Sequence, residues 1–325
     1  MSAASIACRL LATALLVPSL THCGSAPRPG PASEAIARRI ANVEVRTFET
    51  RDGKELAYVV HRPRKLNERR SAFVYLHGIE SHSEWFDLAA ERLASRGYPV
   101  YSLDRRGSGI NRENRGFVSG HVGRGIDLVD DVQQAVDLVR TSGSYDEIYL
   151  IGLSWGGKYV LAYGAEHPAG VDGMVLITPG MKPKVDMTAP QKAAVFVDMV
   201  FAPERQHPVP IEPEMFTTKP DELAYIENDP LRLHTVSAGF LKQSVAMDRM
   251  VGRKDEREQP PLLLFLAGKD RIIDNDATRE LVTRNPNRSV RIIEYPDQTH
   301  SIQLDAPDRL ARDIIRWIDT LPRKH

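Results

Sequence analysis

The sequence predicts an α/β fold with a mostly parallel central sheet and helices on both of its faces. Short apolar runs, such as residues 72–76 and 148–153, alternate with amphipathic helical patterns, such as residues 126–141. Such runs are typical of strands buried on both faces, and their alternation with helices is typical of right-handed parallel crossovers. The alternation stops at about Met181 and resumes at Leu262. We therefore expect a helical cap inserted before the late strands.

The individual elements follow from local patterns in chain order. Alternating apolar residues at 43–50 and 56–61, on either side of a turn at residues 51–54, are typical of a β-hairpin. A helical pattern closed by Gly97 predicts a helix over residues 83–96. Further strands are expected at residues 72–76, 100–103, 148–153, 173–178, 262–267 and 290–294. Further helices are expected at residues 126–141, 155–166, 192–201, 233–251, 276–283 and 308–321.

These patterns divide the body of the chain into a core and a cap. The core is predicted to comprise residues 41–180 and 258–325, and the cap to comprise residues 181–257. The cap contains a proline-rich loop at residues 203–213 and is otherwise helical in pattern. Apolar positions within residues 195–201 exceed the single stripe that a soluble helix needs. They are expected to line a site for an apolar chain, to face a membrane, or simply to pack the cap onto the sheet.

The N-terminus has the features of an export signal. An apolar run at residues 10–17 is too short to span a membrane, which favours a signal peptide over residues 1–22. Residues 23–40 would then form a flexible linker. We expect an exported protein, either a membrane-anchored lipoprotein or a secreted or periplasmic one. An apolar N-terminus of a cytosolic protein is the alternative.

Cys23 is the expected site of lipid attachment. Residues 20–23 (LTHC) resemble the lipobox that precedes the lipidated cysteine of bacterial lipoproteins. His22 departs from that pattern, which has a small residue directly before the cysteine. Ordinary signal cleavage near Ser25 or Ala26 therefore remains open as the alternative.

The composition excludes several classes of protein. Lys and Arg together number 43 and so do Asp and Glu, so the basic excess of a nucleic-acid binder is absent. The two cysteines, Cys8 and Cys23, both precede the folded body, which excludes a disulfide framework and a cysteine zinc site. The histidines are scattered and no HExxH spacing occurs, so we expect no metal and no cofactor.

The strongest chemical motif is at residues 152–157 (GLSWGG), which follow an apolar strand and open a helix. A serine at such a strand-to-helix turn adopts a strained backbone conformation, and glycines two residues before and after it relieve the crowding. The helix N-terminus also favours negative charge that develops nearby. This context predicts that Ser154 is a nucleophile.

An acyl-transfer enzyme needs two backbone N–H donors for the oxyanion. One donor is expected from Trp155, the residue after the nucleophile. The other is expected from the loop that follows the strand at residues 72–76, most simply from Ile79, since Gly78 allows the chain to turn there. His77 precedes this turn and is expected to have a structural role.

A serine nucleophile requires an imidazole base, and the imidazole requires a carboxylate that fixes its tautomer. His300 lies just past a late strand, and Asp270 directly follows the strand at residues 262–267. Asp270 is preferred over Asp274 and Asp276 because sheet enzymes place catalytic groups at strand ends. Asp297 is the alternative carboxylate partner for His300. The other body histidines lack such a position: His61, His82, His121, His167, His207 and His234.

With these motifs, the sequence resembles the monoacylglycerol lipase and lysophospholipase branch of the α/β-hydrolase superfamily, which is grouped with the serine aminopeptidase-like hydrolases. The resemblance spans about residues 45–320. It is carried by residues 77–83 (HGIESHS), 104–109 (DRRGSG), 152–157 (GLSWGG) and 228–232 (NDPLR), and by the triad residues. It implies an α/β-hydrolase fold. The order Ser154, Asp270, His300 agrees with the order of that fold.

The resemblance also implies hydrolysis of a carboxylic ester, with a single acyl chain and a polar head. Two positions depart from the family pattern: Leu153 replaces the usual histidine before the serine, and Trp155 replaces a smaller or flexible residue. A bulky Trp155 is expected to narrow the acyl pocket. The expected partner is therefore a small ester or lipid, with no nucleic acid and with membrane association through the lipid anchor or the cap.

Two other functions remain open from the sequence. A peptidase or amidase of the same fold would need an acidic group in the cap to hold a free amine. The cap offers several such groups: Glu204, Glu212, Glu214, Asp221, Glu222, Glu227 and Asp229. The second alternative, a non-catalytic surface binding protein, would have no need of all three triad residues.

Overall fold

The computed structural model describes residues 44–143, 145–252 and 257–323. The predicted signal peptide, Cys23 and the linker over residues 23–40 lie outside these residues and remain predictions. Within the described ranges, no helix has both the length and the hydropathy that a membrane span requires.

A mostly parallel sheet of eight strands forms the centre of the described chain. The strands in chain order are β1 (Glu44–Glu49), β2 (Glu55–His61), β3 (Ser71–Leu76), β4 (Val100–Leu103), β5 (Glu147–Leu153), β6 (Gly173–Ile177), β7 (Gln206–Pro208), β8 (Thr235–Ser237), β9 (Leu262–Ala267) and β10 (Val290–Tyr295). The central sheet has the order β1-β2-β4-β3-β5-β6-β9-β10. The predicted hairpin, β1 and β2, pairs antiparallel at one edge, and β2 pairs antiparallel with β4. The remaining pairs are parallel, as predicted.

Helices cover both faces of this sheet, which confirms the predicted fold class. The α-helices are α1 (Asp87–Ala94), α2 (Gly125–Ser142), α3 (Trp155–Glu166), α4 (Ala189–Phe201), α5 (Pro220–Glu227), α6 (Ala238–Val251), α7 (Asn275–Thr283), α8 (Ile302–Asp305) and α9 (Pro307–Asp319). On one face, α2 and α3 contribute Val132 and Val160 to a core that includes Val74 of β3. On the other face, α1 and α9 contribute Leu93 and Ile314 to a core that includes Tyr75. Neighbouring residues of β3 thus serve opposite cores, because strand side chains alternate.

The chain between β6 and β9 contains α4, α5, α6 and a small sheet in which β7 pairs antiparallel with β8. The first helix begins at a capping box, in which Thr188 and Gln191 satisfy each other's backbone N–H groups. This chain contributes side chains to a cavity that reaches Ser154, at the carboxyl end of β5. The insertion therefore lies where catalytic groups of parallel sheets are found.

The predicted helix over residues 233–251 is wrong at its start. Residues 235–237 form β8, and the helix begins only at Ala238. The Ser237 hydroxyl accepts a hydrogen bond from the Phe240 N–H at 3.0 Å and so caps the helix at this point. The helical pattern continues upstream, but pairing with β7 takes the preceding residues into a strand.

Other predicted helix boundaries shift by a few residues. The helix predicted over residues 83–96 begins as a 3-10 turn at Ser83–Phe86, and α1 ends at Ala94. The helix predicted over residues 192–201 begins at Ala189. Helices α5 and α8 were not predicted from the sequence. Both are short, so their periodicity is weak and their stability depends on tertiary packing.

Candidate active site

Ser154 occupies the turn between β5 and α3 in a conformation that side chains rarely adopt. Its φ is 51° and its ψ is −122°. A non-glycine residue in this region costs on the order of 1–3 kcal/mol, so the surroundings must hold it. Its N–H donates to the Ile177 carbonyl at 2.9 Å, and its own carbonyl accepts from Gly180 at 2.7 Å and from Gly157 at 2.9 Å. Strand β6, the chain just after it and helix α3 thus hold the turn in place.

Two glycines allow the close packing around this turn. A Cβ on Gly156 would lie 2.1 Å from the Leu76 carbonyl oxygen, so only glycine lets α3 approach the end of β3 this closely. A Cβ on Gly78 would lie 3.2 Å from the Cβ of Ser154. The loop after β3 therefore passes directly beside the serine side chain.

His300 and Asp270 meet as predicted from their positions at strand ends. The His300 Nδ1 lies 2.9 Å from the Asp270 Oδ2, and since a carboxylate accepts hydrogen bonds, we assign the proton to Nδ1. The other carboxylate oxygen of Asp270 accepts the N–H groups of Ile272 at 2.8 Å and Ile273 at 3.0 Å. Burial raises the pKa of Asp270, but the charge and hydrogen bond of His300 and the two N–H donors lower it below its usual value.

The other nitrogen of His300 is available for proton transfer. Within the described part of the chain, its Nε2 is buried and has no hydrogen-bond partner. The Phe216 ring packs edge-on against the imidazole, with ring centroids 5.8 Å apart. Ser154 and His300 both line one small cavity of about 10 Å³, which is about the space of a single water. The loops thus place a buried imidazole nitrogen beside the serine.

The rival acids lie elsewhere. Asp297 is 84% exposed at its side chain and faces Lys269 at 3.8 Å. Asp274 caps α7, accepting the Ala277 N–H at 3.0 Å. Asp276 is exposed in the first turn of the same helix. Of the four acids considered from the sequence, Asp270 alone is hydrogen-bonded to His300.

The two predicted oxyanion donors belong to residues next to Ser154. Trp155 is the first residue of α3, so its N–H has no acceptor within the helix. In the loop after β3, Gly78 donates its N–H to the Ser81 hydroxyl at 2.9 Å, and the next N–H is that of Ile79. Ile79, Ser154 and Trp155 line one cavity together. Both residues thus border the space next to Ser154, as donors to a substrate oxyanion must.

That cavity has a volume of about 480 Å³ and extends from Ser154 under the cap. Its walls are mainly apolar, and the cap supplies most of them: Met187, Val195, Phe196, Met199, Val209, Ile211, Leu241 and Val245. The Trp155 indole is fixed as one wall, because its Nε1 donates to the Ser244 hydroxyl at 2.9 Å and its ring lies 4.7 Å from Phe240. A cavity of this size and lining suits an apolar chain.

The charged groups that line this cavity are paired. The Lys158 ammonium donates to Asp248 at 2.8 Å and to the Ser244 hydroxyl at 3.0 Å. Burial lowers the pKa of Lys158, while Asp248 opposes that shift. Asp186 forms an ion pair with Lys192. Neither acid is therefore left with a free negative charge directed at Ser154.

Sequence reasoning missed a buried network that joins the loop after β3 to the cap. The His82 Nε2 lies 2.8 Å from the Asp229 carboxylate, which also accepts the Trp85 indole N–H at 2.6 Å. Arg232 donates to Glu80 at 2.7 Å. The segments at residues 77–83 and 228–232 were each noted in the sequence, but no local sequence pattern indicates that two such distant segments are in contact.

A profile of the serine aminopeptidase, S33 family of hydrolases matches residues 67–307. The chain belongs to this family. The matched residues include the whole site described above and the cap. The α/β-hydrolase fold predicted from the motifs is therefore confirmed, and the protein belongs to a family of hydrolases.

Characterised relatives cover most of the chain. A monoacylglycerol lipase from Mycolicibacterium smegmatis is 26% identical over 271 residues, which are 82% of this chain and 93% of that protein. A monoglyceride lipase from Rattus norvegicus is 24% identical over 245 residues, 75% of this chain and 79% of that protein. Both similarities agree with the branch of the superfamily that the sequence resembles.

Solved structures show the same fold at lower identity. The monoacylglycerol lipase of Paleococcus ferrophilus superposes with a TM-score of 0.66 at 19% identity, covering 85% of this chain and 98% of that one. A carboxyl esterase from Bacillus coagulans gives a TM-score of 0.71 at 17% identity, covering 85% and 98%. At such identities the similarity is one of fold.

The Asp270–His300 contact predicts a specific response to substitution. Asp270→Asn keeps the shape of the side chain but favours the wrong imidazole tautomer, so we expect a loss of about 10³- to 10⁴-fold in kcat for a p-nitrophenyl ester. Asp297→Asn is the same change in the exposed alternative acid, and it should leave kcat within about twofold of the wild-type value. Equal losses in the two variants, measured under saturating substrate, would show that Asp270 is not the partner acid.

Proposed function

We propose that the protein hydrolyses carboxylic esters with a single acyl chain, of the monoacylglycerol or lysophospholipid type, through an acyl-enzyme on Ser154. One observation carries the proposal: an apolar cavity of about 480 Å³ ends at Ser154, beside a buried His300–Asp270 pair. A nucleophile, a base and an acyl-sized space then meet at one point. The names of the relatives, which are monoacylglycerol and monoglyceride lipases, support the same substrate class.

In the first half of the proposed reaction, the Ser154 hydroxyl attacks the ester carbonyl and gives its proton to the His300 Nε2. Asp270 holds the imidazole by its Nδ1–H and stabilises the positive charge that forms. The N–H groups of Ile79 and Trp155 donate to the carbonyl oxygen as it becomes an anion. The tetrahedral intermediate then collapses, and His300 protonates the departing alcohol.

In the second half, a water molecule gives a proton to the His300 Nε2 and attacks the acyl-serine carbonyl. The same two N–H groups stabilise the second oxyanion, and the acid leaves as Ser154 recovers its proton. The cavity of about 10 Å³ beside Ser154 and His300 has room for about one such water. It adjoins the larger cavity at Ile79 and Ser154, so a water there would be close to the acyl-serine.

The cavity favours an ester over a peptide with a free N-terminus. An aminopeptidase needs an unpaired carboxylate near the nucleophile to hold the substrate ammonium. The cap acids considered from the sequence do not line the cavity at Ser154, as far as the described residues show. Asp229 among them is buried against His82, and the two acids that do line the cavity, Asp186 and Asp248, are paired with lysines.

A substrate panel tests this proposal. The full chain and its Ser154→Ala variant are incubated with short and long p-nitrophenyl esters, a monoacylglycerol, a lysophospholipid and an aminoacyl-arylamide. We expect the wild-type protein to release acid from the monoacyl lipids, and Ser154→Ala to lose about 10⁵- to 10⁶-fold in kcat without loss of thermal stability. Ser95→Ala, an exposed serine, is the matched control and should retain full activity.

The other outcomes of this panel are equally clear. Preferred release of the arylamide would assign the protein to the peptidases of its family. Turnover of short esters alone would indicate a carboxylesterase with a narrow site. No turnover, together with no labelling of Ser154 by a fluorophosphonate, would support a non-catalytic binding protein.

We also propose that the cap contacts the lipid surface that holds the substrate. Helix α4 has apolar side chains on two sides: Val195 and Met199 line the cavity, whereas Val200 and Phe201 are exposed by 64% and 82%. Phe196 lines the cavity and is itself 72% exposed. Exposed apolar side chains next to a cavity entrance are typical of membrane-binding surfaces.

Vesicle binding tests this surface. Phe196→Ser combined with Phe201→Ser should weaken co-sedimentation with phosphatidylcholine vesicles by about tenfold or more, because two large apolar side chains no longer leave water. All proteins carry Cys23→Ser, so that no lipid anchor contributes. Val118→Ser removes an exposed apolar side chain outside the cap and should leave binding unchanged. Equal binding by both variants would contradict the proposed contact between the cap and the lipid surface.

Export with lipidation at Cys23 is likewise proposed, on the strength of residues 1–23 alone. In a bacterial host, metabolic labelling with an alkyne fatty acid should mark the wild-type chain and leave Cys23→Ser unmarked. Labelling in neither, with a mature chain that begins near Ser25, would indicate ordinary signal cleavage. A full-length unlabelled chain in the cytosol would contradict export.

A further inference from the structure

Arg105 is a buried cation that the proposed reaction does not use. It follows β4 in the segment 104–109 (DRRGSG) and is 2% exposed. Among the described residues it forms no ion pair with a carboxylate, whereas the adjacent Arg106 pairs with Asp131 at 2.6 Å and with Asp52 at 2.7 Å. A buried charge without an opposite charge is costly, so its position calls for an explanation.

The hydrogen bonds of Arg105 go to the loop that carries the proposed oxyanion donor. Its Nη1 donates to the Gly78 carbonyl at 2.6 Å and its Nη2 to the Ile79 carbonyl at 2.5 Å. The guanidinium also lies 5.2 Å from the ring centroids of both Trp155 and Phe240. The cation therefore contacts the residues of both proposed oxyanion donors.

His77 adds a second hydrogen bond to the same carbonyl. The Arg105 backbone N–H donates to the His77 Nε2 at 3.1 Å, so we assign the proton of the neutral ring to Nδ1. This Nδ1 lies 2.8 Å from the Gly78 carbonyl oxygen, to which it donates, and 2.9 Å from the Arg105 Nη1. Burial and the charge of Arg105 both hold the pKa of His77 well below its usual value, which keeps the ring neutral. The Gly78 oxygen thus accepts two hydrogen bonds, one of them from a cation.

The Gly78 carbonyl and the Ile79 N–H belong to one peptide group. Hydrogen bonds to the oxygen of an amide draw electron density away from its nitrogen, so that the N–H becomes a stronger donor. A charged donor does this more than a neutral one. Burial of the contact keeps water from weakening the effect.

We propose that Arg105 is a positioning residue that orients and polarises the Gly78–Ile79 peptide, so that the Ile79 N–H stabilises the oxyanion of the reaction. This inference rests on the proposed ester hydrolysis. It explains why a guanidinium is held without a carboxylate partner: a carboxylate there would take up its hydrogen bonds and weaken the polarisation. It also gives His77 its role as the second donor to the same oxygen.

Arg105→Met in the full chain tests the proposal, because methionine fills similar space without charge or donors. The change leaves the Gly78 and Ile79 carbonyls without this donor, so the melting temperature of the variant is measured alongside its kinetics. The key measurement is the Ki of an alkyl trifluoromethyl ketone, whose adduct with Ser154 carries an oxyanion. We expect Ki to rise and kcat to fall by about 10- to 100-fold, with KM and the affinity of the matching alcohol changed by less than about threefold.

Two further variants separate polarisation from packing. Arg105→Lys retains the charge but not both hydrogen bonds. It should bind the ketone at least about threefold more tightly than Arg105→Met does. Arg106→Met removes the neighbouring buried guanidinium and leaves Asp131 without its ion-pair partner. It should lower the melting temperature and leave the ketone affinity unchanged.

The amide proton of Ile79 gives a readout that does not depend on turnover. In protein labelled with ¹⁵N-isoleucine, its signal is assigned by its disappearance in Ile79→Val. Loss of the charged donor should move the signal of this proton upfield in Arg105→Met. In Arg105→Lys, its chemical shift should lie between those of the wild type and Arg105→Met. If Arg105→Met does not fold, Arg105→Lys and Arg105→Gln are compared by the same shift.

The results distinguish failure of this inference from failure of the proposed function. Wild-type protein that neither cleaves esters nor binds the ketone in a Ser154-dependent way refutes the proposed function. Wild-type activity with unchanged Ki and amide shift in Arg105→Met refutes the role of Arg105. Equal weakening of the ketone and the alcohol would also refute it, since that result indicates a purely structural residue.

Discussion

The site depends on the strained backbone of Ser154. A positive φ at a serine persists only where neighbours hold it, and here β6, the chain after it and α3 all hydrogen-bond to the residue. The same turn requires α3 to approach the end of β3 so closely that Gly156 has no room for a side chain. The sheet thus supports one serine hydroxyl at a fixed point, and the other groups are arranged around it.

Around Ser154, several buried side chains are held by hydrogen bonds to backbone groups and not only by contacts with other side chains. Asp270 is held by two N–H groups as well as by His300, and Arg105 donates to two carbonyls. Such contacts fix side chains through parts of the chain that a substitution cannot remove. They also leave few degrees of freedom for reorganisation when charge moves, which is what electrostatic stabilisation of a transition state requires.

The sequence predicted the sheet and the local motifs well, because buried strands and the turn at Ser154 have strong local signatures. It also brought Asp270 and His300 together, since both lie just past the ends of neighbouring strands that meet at one edge. It could not predict that Thr235–Ser237 form a strand, because that depends on pairing with residues some thirty positions earlier. The contacts of Arg105 and Asp229 were missed for the same reason, as each joins segments distant in the chain.

The cap is attached to the core loops on both sides of α4. Before the helix, the Lys184 N–H donates to the Ile272 carbonyl at 2.7 Å. After it, Leu233 donates to the Glu80 carbonyl at 2.9 Å, and the Phe216 carbonyl accepts from Ser301 at 2.8 Å. Helix α4 lies over the cavity with apolar side chains outside as well as inside. An outward swing of α4 alone would therefore widen the entrance while the loops that carry the reacting groups stay assembled. Such a movement would admit a substrate through one segment, α4, and leave the arrangement of the reacting groups to other segments.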